Sequence, residues 1–101
     1  MATFHLTILT PEQVVFEGDV ESLTAPGVAG CLGILAHHTP LLAAVRRGVL
    51  HVRREEGRKY FAVDESFLHV NGNAAVLLAD AAVEVADEHA ARQAHEAMVR
   101  G

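Results

Sequence analysis

Phe67-Leu68-His69-Val70-Asn71-Gly72-Asn73-Ala74-Ala75-Val76-Leu77-Leu78-Ala79 reads as two short strands folded back on each other. Residues 67–70 and 74–79 are apolar-rich, and Asn71-Gly72-Asn73 between them carries the Asn-Gly pair that supplies the positive φ angles of a tight turn. Working outward, residues 49–54 and 58–63 flank Glu55-Glu56-Gly57, a second hairpin signal. Nearer the N-terminus, Phe4, Leu6 and Ile8 alternate with His5 and Thr7, so one face of a strand is apolar and the other polar. Residues 20–25 form another strand, ended by Pro26-Gly27. Two-residue alternation with breaks every eight to twelve residues or so predicts an antiparallel sandwich or barrel.

The texture changes at Asp87. An N-capping aspartate, Glu88 in the first turn and a run of alanines predict a single short C-terminal helix. Ala90, Ala94, Ala97 and Met98 make a narrow apolar stripe on it. A helix this short is marginal alone, so it must lean on something. The organisation is thus residues 1–85 as a mainly β domain and residues 86–101 as a helical segment.

A chain of 101 residues, half of them hydrophobic, allows one domain with a modest core. Cys31 is the sole cysteine, so no disulfide forms within the chain. No apolar run approaches the roughly 20 residues that span a bilayer, and the N-terminus lacks a signal-peptide pattern. The net charge of −5 argues against nucleic acid as a partner. Yet six of the eight basic residues, Arg46, Arg47, Arg53, Arg54, Arg58 and Lys59, fall within 14 positions, while residues 1–45 hold no Lys or Arg. Strand alternation places many of these on a solvated face. The functional alternative is a basic edge that meets an acidic partner, as in a small binding adaptor.

Catalytic chemistry is not written in this chain. No nucleophile elbow, phosphate loop or Cys-His signature occurs. Seven histidines invite a metal-dependent sandwich enzyme, but none has zinc-ligand spacing, and hydrogen-bonded or solvated imidazoles are the plainer reading. Asp64-Glu65 and Asp87-Glu88 read as solvated acidic pairs, and Cys31 as a small apolar filler or a reactive thiol beside His38. The expectation is a chain that is no enzyme by itself and holds no cofactor or metal.

The second informative string is Gly30-Cys31-Leu32-Gly33-Ile34-Leu35-Ala36-His37-His38-Thr39-Pro40-Leu41-Leu42. Gly30 and Gly33 permit conformations or close approaches that a Cβ forbids, and Pro40 extends Thr39, which predicts a shaped loop between strands. The string resembles the G-x-L-G-I-x-x-x-H-x-P-L-L signature of the ε subunit of F-type ATP synthase, whose mitochondrial counterpart is called δ. Phe4 to Gln13 is similar to that family's first strand and turn, and Phe16-Glu17-Gly18-Asp19-Val20-Glu21 to its F-x-G-x-V-E segment. Arg47-Gly48-Val49-Leu50 resembles the start of its central strand, with Arg for the usual Pro, and residues 76–82 its V-T-V-L-A-D-T-A end.

The resemblance implies an N-terminal antiparallel β-sandwich of about ten strands and a rotor role in the central stalk. The implied partners are the γ subunit and the c-ring, with the β subunit as a further contact. It implies a peripheral location on the cytoplasmic side of the bacterial inner membrane, with the membrane reached only through the complex. By position, Thr10, His38 and Ala43 match γ-facing residues. Val28, Ala29, Gly30, Cys31, Leu32 and Gly33 match the loop that faces the c-ring, where Cys31 replaces a residue that is often acidic. His37 stands where the family usually has Gly, and Asp64-Glu65-Ser66 where it has Ser-Gly-Gly. The family's second helix has no counterpart here, and Arg92 lies five residues after Asp87 rather than three, as a D-x-x-R-A nucleotide motif requires. The implied subunit couples and assembles, without a long autoinhibitory arm and without ATP bound by that motif.

Overall fold

The computed structural model describes residues 2–100, except for the side chains of Glu88 and of residues 96–100. Ten strands precede one helix: β1 (Phe4–Leu9), β2 (Val14–Val20), β3 (Ser22–Gly27), β4 (Gly30–Leu35), β5 (Leu41–Val45), β6 (Gly48–Arg54), β7 (Gly57–Val63), β8 (Ser66–Asn71), β9 (Ala74–Ala79), β10 (Ala82–Val85) and α1 (Glu88–Arg100). The strands form two five-stranded layers, ordered β10-β7-β6-β3-β4 and β5-β8-β9-β1-β2. A single residue pair, Gly27 with Val45, joins the layers where β3 passes from β6 to β5. Every pairing is antiparallel except β1 with β9, which run parallel. The fold is therefore the expected sandwich, with one departure from a purely antiparallel design.

Alternation builds the core. Phe4, Leu6 and Ile8 of β1 point inward with Leu68, Val70, Ala75 and Leu77 from β8 and β9. They meet Leu23, Ile34, Leu50, Val52, Phe61 and Val63 from the other layer. Phe16 closes one side, its ring edge-on to Phe61 at 5.6 Å and 61°. Each large side chain so buried is worth about 1.5–3 kcal/mol.

Three local readings are corrected here. The β8–β9 turn is centred on Gly72 and Asn73, with φ of 59° and 58°, while Asn71 belongs to β8. Two positive φ angles match the right-handed twist of the flanking strands, which is why this pair and not Asn71-Gly72 turns the chain. Pro26 and Gly27 continue β3 instead of ending it. The Pro26 carbonyl still takes part in the sheet, accepting the Arg46 N–H at 2.9 Å. The Gly30–Leu42 string is not one loop: its first six residues are β4, paired along the length of β3, and only residues 36–40 connect to β5.

α1 lies on the outer face of the β6–β7–β10 layer. Asp87 caps it, with Oδ1 accepting the Ala90 N–H at 2.8 Å. Ala62 and Ala91 are fully buried yet stand outside the sandwich core, because each lies where helix and sheet meet. His95 approaches the Val63 carbonyl at 3.2 Å. The buried position is Ala91, which the expected stripe omitted; Ala90 and Ala94 flank it half-buried, and Ala97 and Met98 lie outside the described side chains.

Candidate functional site

The pleat that fills the core also sets what the outer faces show. Register across β5-β8-β9-β1-β2 aligns Ala44 with Phe67, Phe67 with Leu78, Leu78 with Leu9, and Leu9 with Val14. These five outward side chains form one apolar row across all five strands. Phe67, Leu78 and Val14 are 59%, 54% and 54% exposed, values at odds with their chemistry. The next row is mixed (Leu42, His69, Val76, Thr7, Glu17), and beyond it His5 faces Asp19. The face thus grades from apolar to acidic.

Shallow concavities continue this row in both directions. One, bounded by residues 9–14, shares Phe67, Leu78 and Asp80 with a second, of about 310 Å³, that reaches Val28 and Ala44. Val28 and Ala44 in turn border a third, of about 390 Å³, formed by residues 27–32 and 42–44 where β4 and β5 splay apart. The exposed Val28 and Leu42 stand at its rim.

The expected interface residues fall on this surface with two exceptions. Thr10 lines the first concavity, its N–H donating to the Gln13 carbonyl at 3.0 Å. Val28, Ala29, Gly30, Cys31, Leu32 and Ala43 line the third together. Gly33 opens instead on the outer face of the other layer, and His38 sits on the β4–β5 connection, its Nδ1–H donating to the Thr39 carbonyl at 2.6 Å. Of the residues expected in a loop, Val28 and Ala29 form the turn while Gly30 to Gly33 belong to β4. Cys31 is exposed, so it fills no core gap. Sequence matching missed Phe67, Leu78 and Val14. Alternation marks them as outward, but only register shows that they fall in line.

The charged groups are mostly paired. Arg47 reaches Asp64 at 3.3 Å, Arg53 Glu21 at 3.7 Å, Arg54 Glu56 at 3.2 Å and Lys59 Glu84 at 2.7 Å. The Glu65 N–H, then the Arg47 guanidinium, hold the Asp64 carboxyl below the usual aspartate value against some desolvation. His5 bonds Glu17 at 3.0 Å and Asp19 at 3.3 Å, and these two carboxylates raise its pKa above 6.5. Among the described residues no three His, Cys, Asp or Glu side chains are grouped to hold a metal. Among the described residues no helix is long and apolar enough to cross a membrane.

A filled core between two layers, with the polar and exposed apolar groups on the outer faces, defines a β-sandwich domain. The family model for the β-sandwich domain of the ATP synthase delta/epsilon chain matches residues 3–85, and the chain belongs to that family. The ATP synthase epsilon chain of Rhodopseudomonas palustris (strain BisA53) is 37% identical over 91 residues, covering 90% of this chain and 67% of that one. That of Moorella thermoacetica is 40% identical over 99 residues, covering 95% and 74%. The chain spans about two thirds of the length of several such relatives, for example 64% of the epsilon chain of Afipia carboxidovorans.

Two solved structures share the fold. A chain of the Euglena gracilis mitochondrial ATP synthase (OSCP/F1/c-ring, rotational state 1) superposes with a TM-score of 0.78 at 24% identity, over 98% of this chain and 66% of that one. A chain of the Tetrahymena thermophila mitochondrial ATP synthase central stalk and c-ring gives 0.69 at 15% identity, over 95% and 90%. Family membership replaces both the unrelated adaptor and the metal enzyme as readings of this chain.

Proposed function

We propose that this chain is a non-catalytic rotor subunit in the central stalk of an F-type ATP synthase, working through its outer faces. The carrying observation is the apolar row Ala44–Phe67–Leu78–Leu9–Val14. A solvated row of this kind gains by burial on association, at about 25 cal/mol per Å². In this reading the row and the adjoining Thr10 concavity receive the γ subunit. The Val28–Leu32 turn and strand, with Ala43 behind it, meet the c-ring. Residues 1–85 are the docking body and residues 86–101 a helical segment, with the β subunit as a further contact. The location is peripheral, on the cytoplasmic side of a bacterial inner membrane.

Torque transfer needs a stiff body, and two five-stranded layers packed through a filled core resist deformation better than a flexible linker. The described part of α1 supports a coupling role rather than an extended inhibitory arm, since Ala91 and His95 hold it against the sheet.

The test is co-purification of the tagged chain from solubilised membranes, read by mass spectrometry. Wild type should bring γ and c. Phe67→Asp and Leu78→Asp should lose γ while keeping the circular dichroism of the fold. Retention of γ by both variants overturns the assignment of this row. Maleimide labelling of Cys31 should be slower in the assembled synthase than in the free chain. Equal rates would remove the c-ring assignment from this strand.

A further inference from the structure

The other outer face carries a separate feature, unrelated to the apolar row. Register there aligns Leu35, Ser22, Arg53 and Arg58 in one row, and Gly33, Thr24, His51 and Tyr60 in the next. Gly33 has no side chain, and an added Cβ would meet nothing within 4 Å. Its place is therefore a gap in the face, and a concavity of about 430 Å³ opens around it. The polar groups around this concavity are Ser22, Thr24, His51, Arg53 and Arg58, with no carboxylate among its lining residues. In a chain of net charge −5, a concavity lined by two arginines, an imidazole and two hydroxyls is a local inversion of sign.

The arrangement is held in place. His51 stands edge-on to the Tyr60 ring at 5.1 Å and 75°. Glu21 approaches Arg53 at 3.7 Å, longer than a direct charge-assisted hydrogen bond and near one end of the guanidinium only. Arg58 has no ion pair among the described residues, whereas Arg47, Arg54 and Lys59 are all engaged elsewhere. The basic cluster of the sequence is thus divided by the fold: three of its members serve structural pairs, and two converge on this gap.

We propose that this concavity binds a phosphate-type oxyanion. Arg53 and Arg58 would grip its oxygens through their forked N–H groups, as guanidinium geometry favours. The Ser22 and Thr24 hydroxyls donate to the oxygens on the other side. The Gly33 gap lets the anion approach the sheet surface closely. Open to solvent, the site binds weakly, in the millimolar range. The same chemistry is offered by free phosphate and by the headgroup of an acidic phospholipid.

Amide chemical shifts of the labelled chain test this, with inorganic phosphate as one probe and phosphatidylglycerol vesicles as the other. Saturable shifts at Ser22, Thr24, Gly33 and His51 with phosphate support a free-anion site. Saturation with phosphatidylglycerol vesicles, but not with phosphatidylcholine or inorganic phosphate, supports a headgroup site. Arg58→Gln should weaken whichever probe binds by about tenfold, and Arg53→Gln likewise. Arg46→Gln, an exposed arginine outside the concavity, should change nothing. Shifts that do not saturate, that spread equally over Arg46 and Arg47, or that an aspartate-rich peptide reproduces as well as phosphate does, overturn the proposal.

Discussion

His37 carries the clearest residue-scale cost in the chain. Its φ of 63° lies in the left-handed region, where an L side chain is strained by about 1–2 kcal/mol. It is held there by the Asn73 side chain, whose Oδ1 accepts the His37 N–H at 2.7 Å while Nδ2 donates to the Thr3 carbonyl at 3.0 Å. This explains why a glycine suits the position in the related signature. His37→Gly should therefore stabilise the fold by roughly 0.5–1 kcal/mol in urea unfolding; a loss of stability would refute the strain argument. The glycines noted in the sequence need separate reasons. Gly30 has a φ of 140°, whereas Gly33 has open space around it. The closest approach belongs to Gly27, where a Cβ would lie 2.5 Å from the Gly30 carbonyl oxygen. His5 supplies a pH dependence. Its pKa is raised by Glu17 and then Asp19, so its stabilising contribution is complete below 6.5 and lost as pH rises through the folded-state value. Below about pH 4 the two carboxylates protonate and the partners disappear. The stability gap between wild type and His5→Asn should be widest near about pH 5–6 and close to zero at about pH 9. It will be small, because His5 and both partners are well exposed. A gap equal at both ends of that range would show that His5 acts through packing.

At the scale of elements, most strands and the helix were legible because each is encoded locally. β1, β6, β7, β8 and β9 announce themselves by alternation, and α1 by its cap and alanines. Asp87→Ala should cost the helix about 1 kcal/mol, read as faster amide exchange through α1, and Asp87→Ser should restore most of it. Equal loss in both variants would mean that the cap bond to Ala90 is not what holds the helix start. The elements that sequence reading missed share a cause. β4 holds two glycines and the last two residues of β3 are Pro26-Gly27, so local propensity points to a loop; β4 and the end of β3 exist as strand because the two pair across six residues. β2 and β10 lie at the ends of the strand order, where few inward positions leave little pattern to read. The expected helix stripe missed Ala91 because a short run of alanines leaves its facing side undetermined until a sheet is placed against it.

For the whole molecule, two phenylalanines six residues apart separate stability from function. Phe61 is fully buried, and Phe61→Ala should cost about 3–5 kcal/mol. Phe67 is mostly exposed, and Phe67→Ala should change stability by no more than about 0.5 kcal/mol while weakening association with γ. Urea unfolding of the two variants checks this, and a large loss at Phe67 would place that ring in the fold rather than in an interface. By itself, the sequence determined the layered β architecture, the terminal helix and its cap, and a family resemblance that the match over residues 3–85 bears out. It did so because strand period, turn chemistry and capping act between residues close in the chain. Only the tertiary structure decided the parallel β1–β9 pairing, the row from Ala44 to Val14, and the meeting of Arg53 and Arg58 at the Gly33 gap. Each of these depends on register between strands far apart in sequence, and register is settled by how the whole core packs rather than by any one segment.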